Sequence, residues 1–314
     1  MRIWQKAMIG LARSESVTRR VQASRKLTRF AGQFVGGEDH GKATLRAAEL
    51  KAAGLSASLF YLGEYVQDPA EIGRTTDALK AVAAGAAEQG LDVHLSVDPT
   101  QIGSMMSWDE CRRNAEELAR TVSRHAAGGC DVLMLDMEDS SVVQPTLDLY
   151  FHLRGLGLPA AVTVQSYLHR TEDDLTALVA DGAMVRLVKG AFAEPVSVAV
   201  TRREERDEAY RRAVVALFSA EAKRRGVRPV LGTHDHRMVE FARHAARAGG
   251  WSADEWEVEM LLGVRPQYQK ELVEAGVSVR LYLPFGSEWF PYSIRRVGEN
   301  PANLAFVLRA AFGS

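Results

Sequence analysis

The sequence predicts an α/β chain folded as a closed (βα)8 barrel with an N-terminal helical extension, and three observations predict it. Eight short, apolar, β-branched runs recur along the chain, and most are followed by a longer stretch with helical periodicity. The eight units run from about residue 56 to 312, which matches the usual ~250 residues of such a barrel. Near-continuous apolar strands separated by helices also imply a parallel sheet buried on both faces, because each crossover helix must cover the sheet. A doubly wound open sheet is the main rival. No GxGxxG follows the first strand, and eight repeats suit closure better.

Residues 1–54 read as the helical extension, from "TRRVQASRKLTRFAGQF" and "GKATLRAAELKAAG", with "VGGEDHG" as a turn between them. The barrel then occupies 55–314. Its strands are expected at 56–62, 92–97, 131–137, 160–165, 183–188, 228–233, 257–262 and 277–283. The intervening helices include "PAEIGRTTDALKAVAAGAAEQG" and "DECRRNAEELARTVSRHAAGG". A last helix, "PYSIRRVGENPANLAFVLR", follows the eighth strand with Pro-Tyr in its first turn, a favourable start.

Composition sets the outer limits. The chain has 314 residues, 46% hydrophobic and 25% charged, with net charge -1, enough for a sizeable core. No run of about 18 apolar residues exists and the N-terminus lacks a secretory pattern, so a cytoplasmic protein is expected. With 40 acidic and 39 basic residues and sign-alternating stretches such as "TRREERDEAYRRA", no nucleic-acid footprint stands out. The two cysteines, Cys111 and Cys130, make neither a disulfide framework nor a zinc site, and no metal is expected.

In a (βα)8 barrel the active site forms at the C-terminal ends of the strands. Polar residues where the apolar runs stop are therefore the candidates: Glu64, Asp98, Thr100, Gln101, Asp136, Glu138, Gln165, Arg186, Lys189, Thr233, His234, Asp235 and Tyr282. Charges inside a buried strand, as in "VRLVKG", must be paired or meet a ligand. Arg186 and Lys189 bracket such a strand end, and an internal ion pair with Asp136 or Glu138 is the plain alternative to a ligand. In the last helix, Glu299 lies four residues after Arg295 and three after Arg296, so it can hold either guanidinium in one rotamer. A fixed fork receives a planar carboxylate bidentately. Tyr292, three residues before Arg295, shares its face, which together describes a pocket for an amino or organic acid.

Taken together, "FVGGE", "DPTQIG", "LDMED", "VQSYL", "RLVKGAF", "GTHD", "EMLLG" and the closing segment, each at a strand end and in order, resemble the proline dehydrogenase family, flavin-dependent enzymes with a TIM-like barrel. The resemblance implies oxidation of L-proline to 1-pyrroline-5-carboxylate, with hydride passing from the ring carbon next to nitrogen to N5 of FAD. It implies that Gln165, Arg186, Lys189, Gly190, Thr233 and His234 contact FAD, with Arg186 near the isoalloxazine and Lys189 toward the ribityl chain and phosphates. It implies further that Arg295 and Arg296 clamp the substrate carboxylate, that Glu299 orients them, that Tyr282, Tyr292 and Leu261 wall the ring, and that Asp136 holds the Tyr282 hydroxyl. Arg186, Asp136 and Tyr282 are the implied catalytic group. Reduced FAD would pass electrons to a quinone or other acceptor, which implies contact with the membrane surface, at its inner face, without spanning it.

Two positions depart from the family pattern. Asp98 stands where the family usually carries a lysine that helps bind the carboxylate, and Phe192 stands in place of a tyrosine. Within about 4 Å, two carboxylates repel by at least ~1 kcal/mol. Either Asp98 points away or pairs with a cation and the activity is unchanged in kind, or the chain is a specialised relative whose substrate carries an extra donor, such as a proline analogue, a diamino acid or an N-amino acid. A barrel that has lost catalysis and acts as a binding protein is a third alternative, which the presence of Arg186, Lys189, Gln165 and His234 argues against.

Overall fold

The computed structural model describes residues 32–289 and Tyr292; Arg295, Arg296 and Glu299 lie outside the described residues. Eight parallel strands close into a barrel in sequence order: β1 Ser56–Tyr61, β2 His94–Val97, β3 Val132–Leu135, β4 Ala160–Gln165, β5 Met184–Val188, β6 Arg228–Gly232, β7 Glu257–Leu261 and β8 Val279–Phe285. β8 returns to β1 in a register that runs from Ser56 opposite Arg280 to Tyr61 opposite Phe285. Every strand boundary falls within two residues of the run that predicts it.

The helices form the outer layer: α1 His40–Ala52, α2 Pro69–Glu88, α3 Trp108–His125, α4 Val143–Gly155, α5 Thr171–Asp181, α6 Arg203–Leu217, α7 Ala220–Arg225, α8 His236–Ala248 and α9 Pro266–Glu274. Their starts are written locally. Asp39 caps α1 by accepting from the Lys42 amide at 2.8 Å, and Ser107 caps α3 by accepting from Glu110 at 3.1 Å. α2 combines a capping Asp68 with Pro69 in its first turn. The main core lies between this layer and the strands, where Leu79, Val82, Leu118, Tyr150, Leu178 and Val214 are buried against the outward strand residues. α1 shares that core through Ala43, Ala47 and Leu50 and packs on α2, β1 and β8.

The segment "VGGEDHG" does more than turn. The Gly36 amide donates to the Pro284 carbonyl at 2.7 Å, and the Gly286 amide donates to the Gly37 carbonyl at 3.0 Å, so the segment is laced to the end of β8. The reason is steric, since a Cβ on Gly36 would lie 2.0 Å from Leu283 Cδ2.

Strand alternation sorts the side chains. In β7, "EVEML" turns Val258 to the helices while both Glu257 and Glu259 are buried with basic partners. The barrel interior is consequently polar in two layers, one around Arg280 and Glu257 near the strand starts and one around Arg186 and Glu259 above it.

Candidate active site

At the C-terminal ends of the strands lies a cavity of about 470 Å³, with Phe60, Met137, Val188, Phe192, Met260 and Leu261 among its apolar walls. This is where a (βα)8 barrel places its chemistry. Its floor is Arg186, which β5 presents inward and which is almost fully buried. The guanidinium donates through Nε and Nη2 to the two oxygens of Glu259, at 2.7 and 2.8 Å, a bidentate pair. Its other partners are Asp136, Ser96 Oγ and, at 3.5 Å, Thr163 Oγ1. Burial works against this charge, but Glu259 and Asp136 more than offset it and hold Arg186 above its ordinary value. Of the two expected internal partners, Asp136 is found and Glu138 is not. Glu138 instead accepts from the Thr100 amide at 3.0 Å and from the Thr100 hydroxyl at 2.6 Å.

Tyr282, on β8, donates its hydroxyl to Asp136 Oδ2 at 2.8 Å. Its ring packs 5.2 Å from Phe60 and 5.3 Å from the Arg186 guanidinium carbon. Arg186, Asp136 and Tyr282 therefore form one hydrogen-bonded unit. Burial and the Asp136 carboxylate push the phenol well up, so it stays a donor.

Asp98 lines the same cavity, together with Glu64, Asp136 and Glu138. Burial first, and then the neighbouring Asp136, Glu138 and Glu64, raise its carboxyl well above the usual range. The sign reversal expected from the sequence is thereby blunted, because enclosure drives this acid toward its neutral form.

The remaining expected residues separate into those at the cavity and those beside it. His234, Leu261, Phe192 and Tyr292 line it. His234 Nε2 accepts from the Leu261 amide at 2.9 Å, which fixes the imidazole tautomer with its proton on Nδ1. Gln165 is buried behind the wall and donates to the Glu138 carbonyl at 2.7 Å. Thr233 Oγ1 accepts from the Asp235 amide at 3.1 Å. Gly190 adopts a φ of +96°, and a Cβ there would strike the Tyr167 ring at 2.2 Å. Lys189 does not reach the cavity: its ammonium is held by Asp207 of α6 and by Asp235, the cap of α8, at 2.9 Å for the latter.

Sequence reading missed Glu259. Its signal was present, since two glutamates spaced by two in a buried strand must both face buried cations. It also missed Ser58 and Ser96, small hydroxyls that complete the layer around Arg186 and Glu259 and leave no distinct mark in an apolar run.

Fold and site together define a (βα)8 barrel with a largely apolar pocket that, among the described residues, is floored by one paired cation and rimmed with acids. The comparisons with known proteins narrow this class. The family model described as "Proline dehydrogenase" matches residues 43–309. "Proline dehydrogenase 2" of Bacillus subtilis is 32% identical over 281 residues, covering 89% of each chain. "Proline dehydrogenase" of Deinococcus radiodurans is 32% identical over 315 residues, covering 98% of this chain and 97% of the relative. The chain belongs to the proline dehydrogenase family. Among solved structures, proline utilization A from Bdellovibrio bacteriovorus superposes with a TM-score of 0.79 at 20% identity, covering 96% of this chain and 37% of its own. The corresponding protein of Corynebacterium freiburgense gives 0.73 at 23% identity, with 95% and 34% covered. The chain thus spans roughly a third of those proteins and shares their fold.

Proposed function

We propose that this chain oxidises L-proline to 1-pyrroline-5-carboxylate with FAD as its cofactor. The observation that carries the reading is the family match across residues 43–309, together with the paired Arg186 on the floor of the cavity. The cavity suits the ring system of a flavin: its walls are largely apolar, and Arg186 at its floor is held charged by two carboxylates. When bound, FAD supplies the acceptor for hydride from the ring carbon next to nitrogen. Arg186, His234 and the neighbouring Thr233 would hold the ring end. Gln165 and Gly190 shape the wall behind it, and Lys189 would serve the phosphates only by exchanging one of its two carboxylates for them.

For the substrate, Tyr282, Leu261, Tyr292 and Phe192 would enclose the pyrrolidine ring. Arg295 and Arg296, oriented by Glu299, would clamp its carboxylate. Where the bound ring packs against the apolar walls and sheds water, desolvation would lower the ammonium's pKa and free the nitrogen lone pair needed for imine formation. The Tyr282–Asp136 hydrogen bond fixes the aromatic wall against which the ring is placed. A quinone at the inner face of the membrane would take the electrons onward. Among the described residues no helix is long and apolar enough to cross a membrane, so any such contact is peripheral to them.

The test is direct. The purified protein should be yellow, and its visible absorption should bleach on anaerobic addition of L-proline. A protein that takes up no FAD would overturn the assignment in favour of a binding module. Bleaching by cationic or N-amino acids with no response to L-proline would assign Asp98 to a second donor group and make the chain a specialised relative.

A further inference from the structure

At the opposite end of the barrel, three sulfur and nitrogen donors converge that no step of proline oxidation uses. Cys130 Sγ, in the loop before β3, lies 3.7 Å from His94 Nδ1 at the start of β2 and 3.9 Å from Met184 Sδ at the start of β5. His94 is completely buried, its Nδ1 faces the thiol, and its Nε2 has no hydrogen-bond partner. The unmet polar demand is on the Nε2 edge, and Nδ1 is the nitrogen turned to the sulfur. Cys130 and Met184 are only partly buried, which leaves a path from solvent.

We propose that Cys130, His94 and Met184 form a three-coordinate binding site for a soft monovalent metal ion, Cu(I) being the biological candidate. The two separations from the thiol suit it. With metal–sulfur and metal–nitrogen bonds of about 2.3 and 2.0 Å at 120°, the donors should stand about 3.7 Å (S to N) and about 4.0 Å (S to S) apart. Thiolate, thioether and imidazole are the donor set that soft ions select.

Charge decides between a monovalent and a divalent ion. Glu257 also lies close enough to be considered a ligand. Its carboxylate, however, is engaged by Arg280 at 2.7 and 3.2 Å, with Arg228 Nη2 at 3.6 Å. Recruiting it would strip the almost fully buried Arg280 of its main partner. A divalent ion bound to the thiolate would then add a net positive charge beside two arginines. A monovalent ion replaces the thiol proton one for one: the S–H bond breaks, the S–metal bond forms, one proton leaves to water, and the local charge is unchanged.

The purified full-length protein, titrated under argon with Cu(I) held by a chromogenic chelator, should take up one ion per chain and release one proton per ion. Cys130→Ser should abolish uptake, and Met184→Leu should weaken it at least tenfold, with both variants keeping the circular dichroism of the parent and its response to L-proline. Zn(II) should bind at least a hundredfold more weakly. Uptake that survives Cys130→Ser would overturn the site. So would uptake lost in Cys130→Ser but indifferent to Met184→Leu, which would mean a bare thiol, and so would Zn(II) binding as tightly as Cu(I).

Discussion

Arg186 is a buried charge whose structural part can be measured apart from the function proposed for it. Arg186→Met removes the only cation that Glu259 and Asp136 share in the barrel's upper layer among the described residues, and breaking such a buried pair costs about 3–5 kcal/mol. Chemical denaturation should register that loss, and Glu259→Gln in the same chain should restore part of it. Tyr282→Phe keeps the ring that packs on Phe60 but deletes the donor to Asp136. Its expected signature is a fall of about tenfold in kcat/KM for proline, equivalent to ~1.4 kcal/mol, with little change in unfolding midpoint. Asp98 gives a pH prediction. Its folded-state pKa is raised, so the fold carries no penalty from this group below the ordinary aspartate value of about 3.9 and a growing one as pH climbs toward the folded value. Asp98→Asn should therefore raise Tm at pH 7 to 8, with the gain vanishing toward pH 3 in a thermal melt series. These roles were unevenly legible. "VRLVKG" announces that its cations need partners, but only the closed barrel shows that Arg186 finds Glu259, 73 residues away, and that Lys189 turns outward to Asp207.

Between elements, the Lys189 cluster ties β5 to α6 and α8. Asp207 is held below its usual range chiefly by its hydrogen bond to Lys189, and Asp235 by Arg237 and then Lys189. Depressed carboxylate values contribute stability above about pH 3.9 that is lost as pH falls through the folded values. Asp235→Asn keeps a capping side chain on α8 yet should lower stability at pH 7, and its melting curve should converge with that of the parent in acid. At the β5 end, Gly190→Ala forces a side chain against Tyr167 in a left-handed backbone. A destabilisation of about 1–3 kcal/mol is expected, measurable by urea unfolding. The elements themselves were readable because apolar runs and helix starts are local signals. The lacing of Gly36 and Gly37 to β8 was not, since a glycine pair reads as a turn until its neighbour 248 residues later is known.

Across the whole molecule, eight βα units and strand-end polarity were enough to define the architecture and the face that carries the cavity. The closing segment with Arg295, Arg296 and Glu299 lies outside the described residues. What the sequence could not disclose is how the barrel's inner charges are layered. Arg280 pairs with Glu257 and Asp92 one layer below Arg186, and Arg280→Met should unfold the protein more readily while leaving its preference among amino-acid substrates unchanged, as flavin-bleaching rates would report. The glycine lacing has a practical reach of its own. Because the strap at Gly36 and Gly37 buttons onto the very stave that carries Tyr282, a nick or a bulky fusion placed just ahead of α1 would be felt at the mouth of the cavity, far along the chain from where the cut was made.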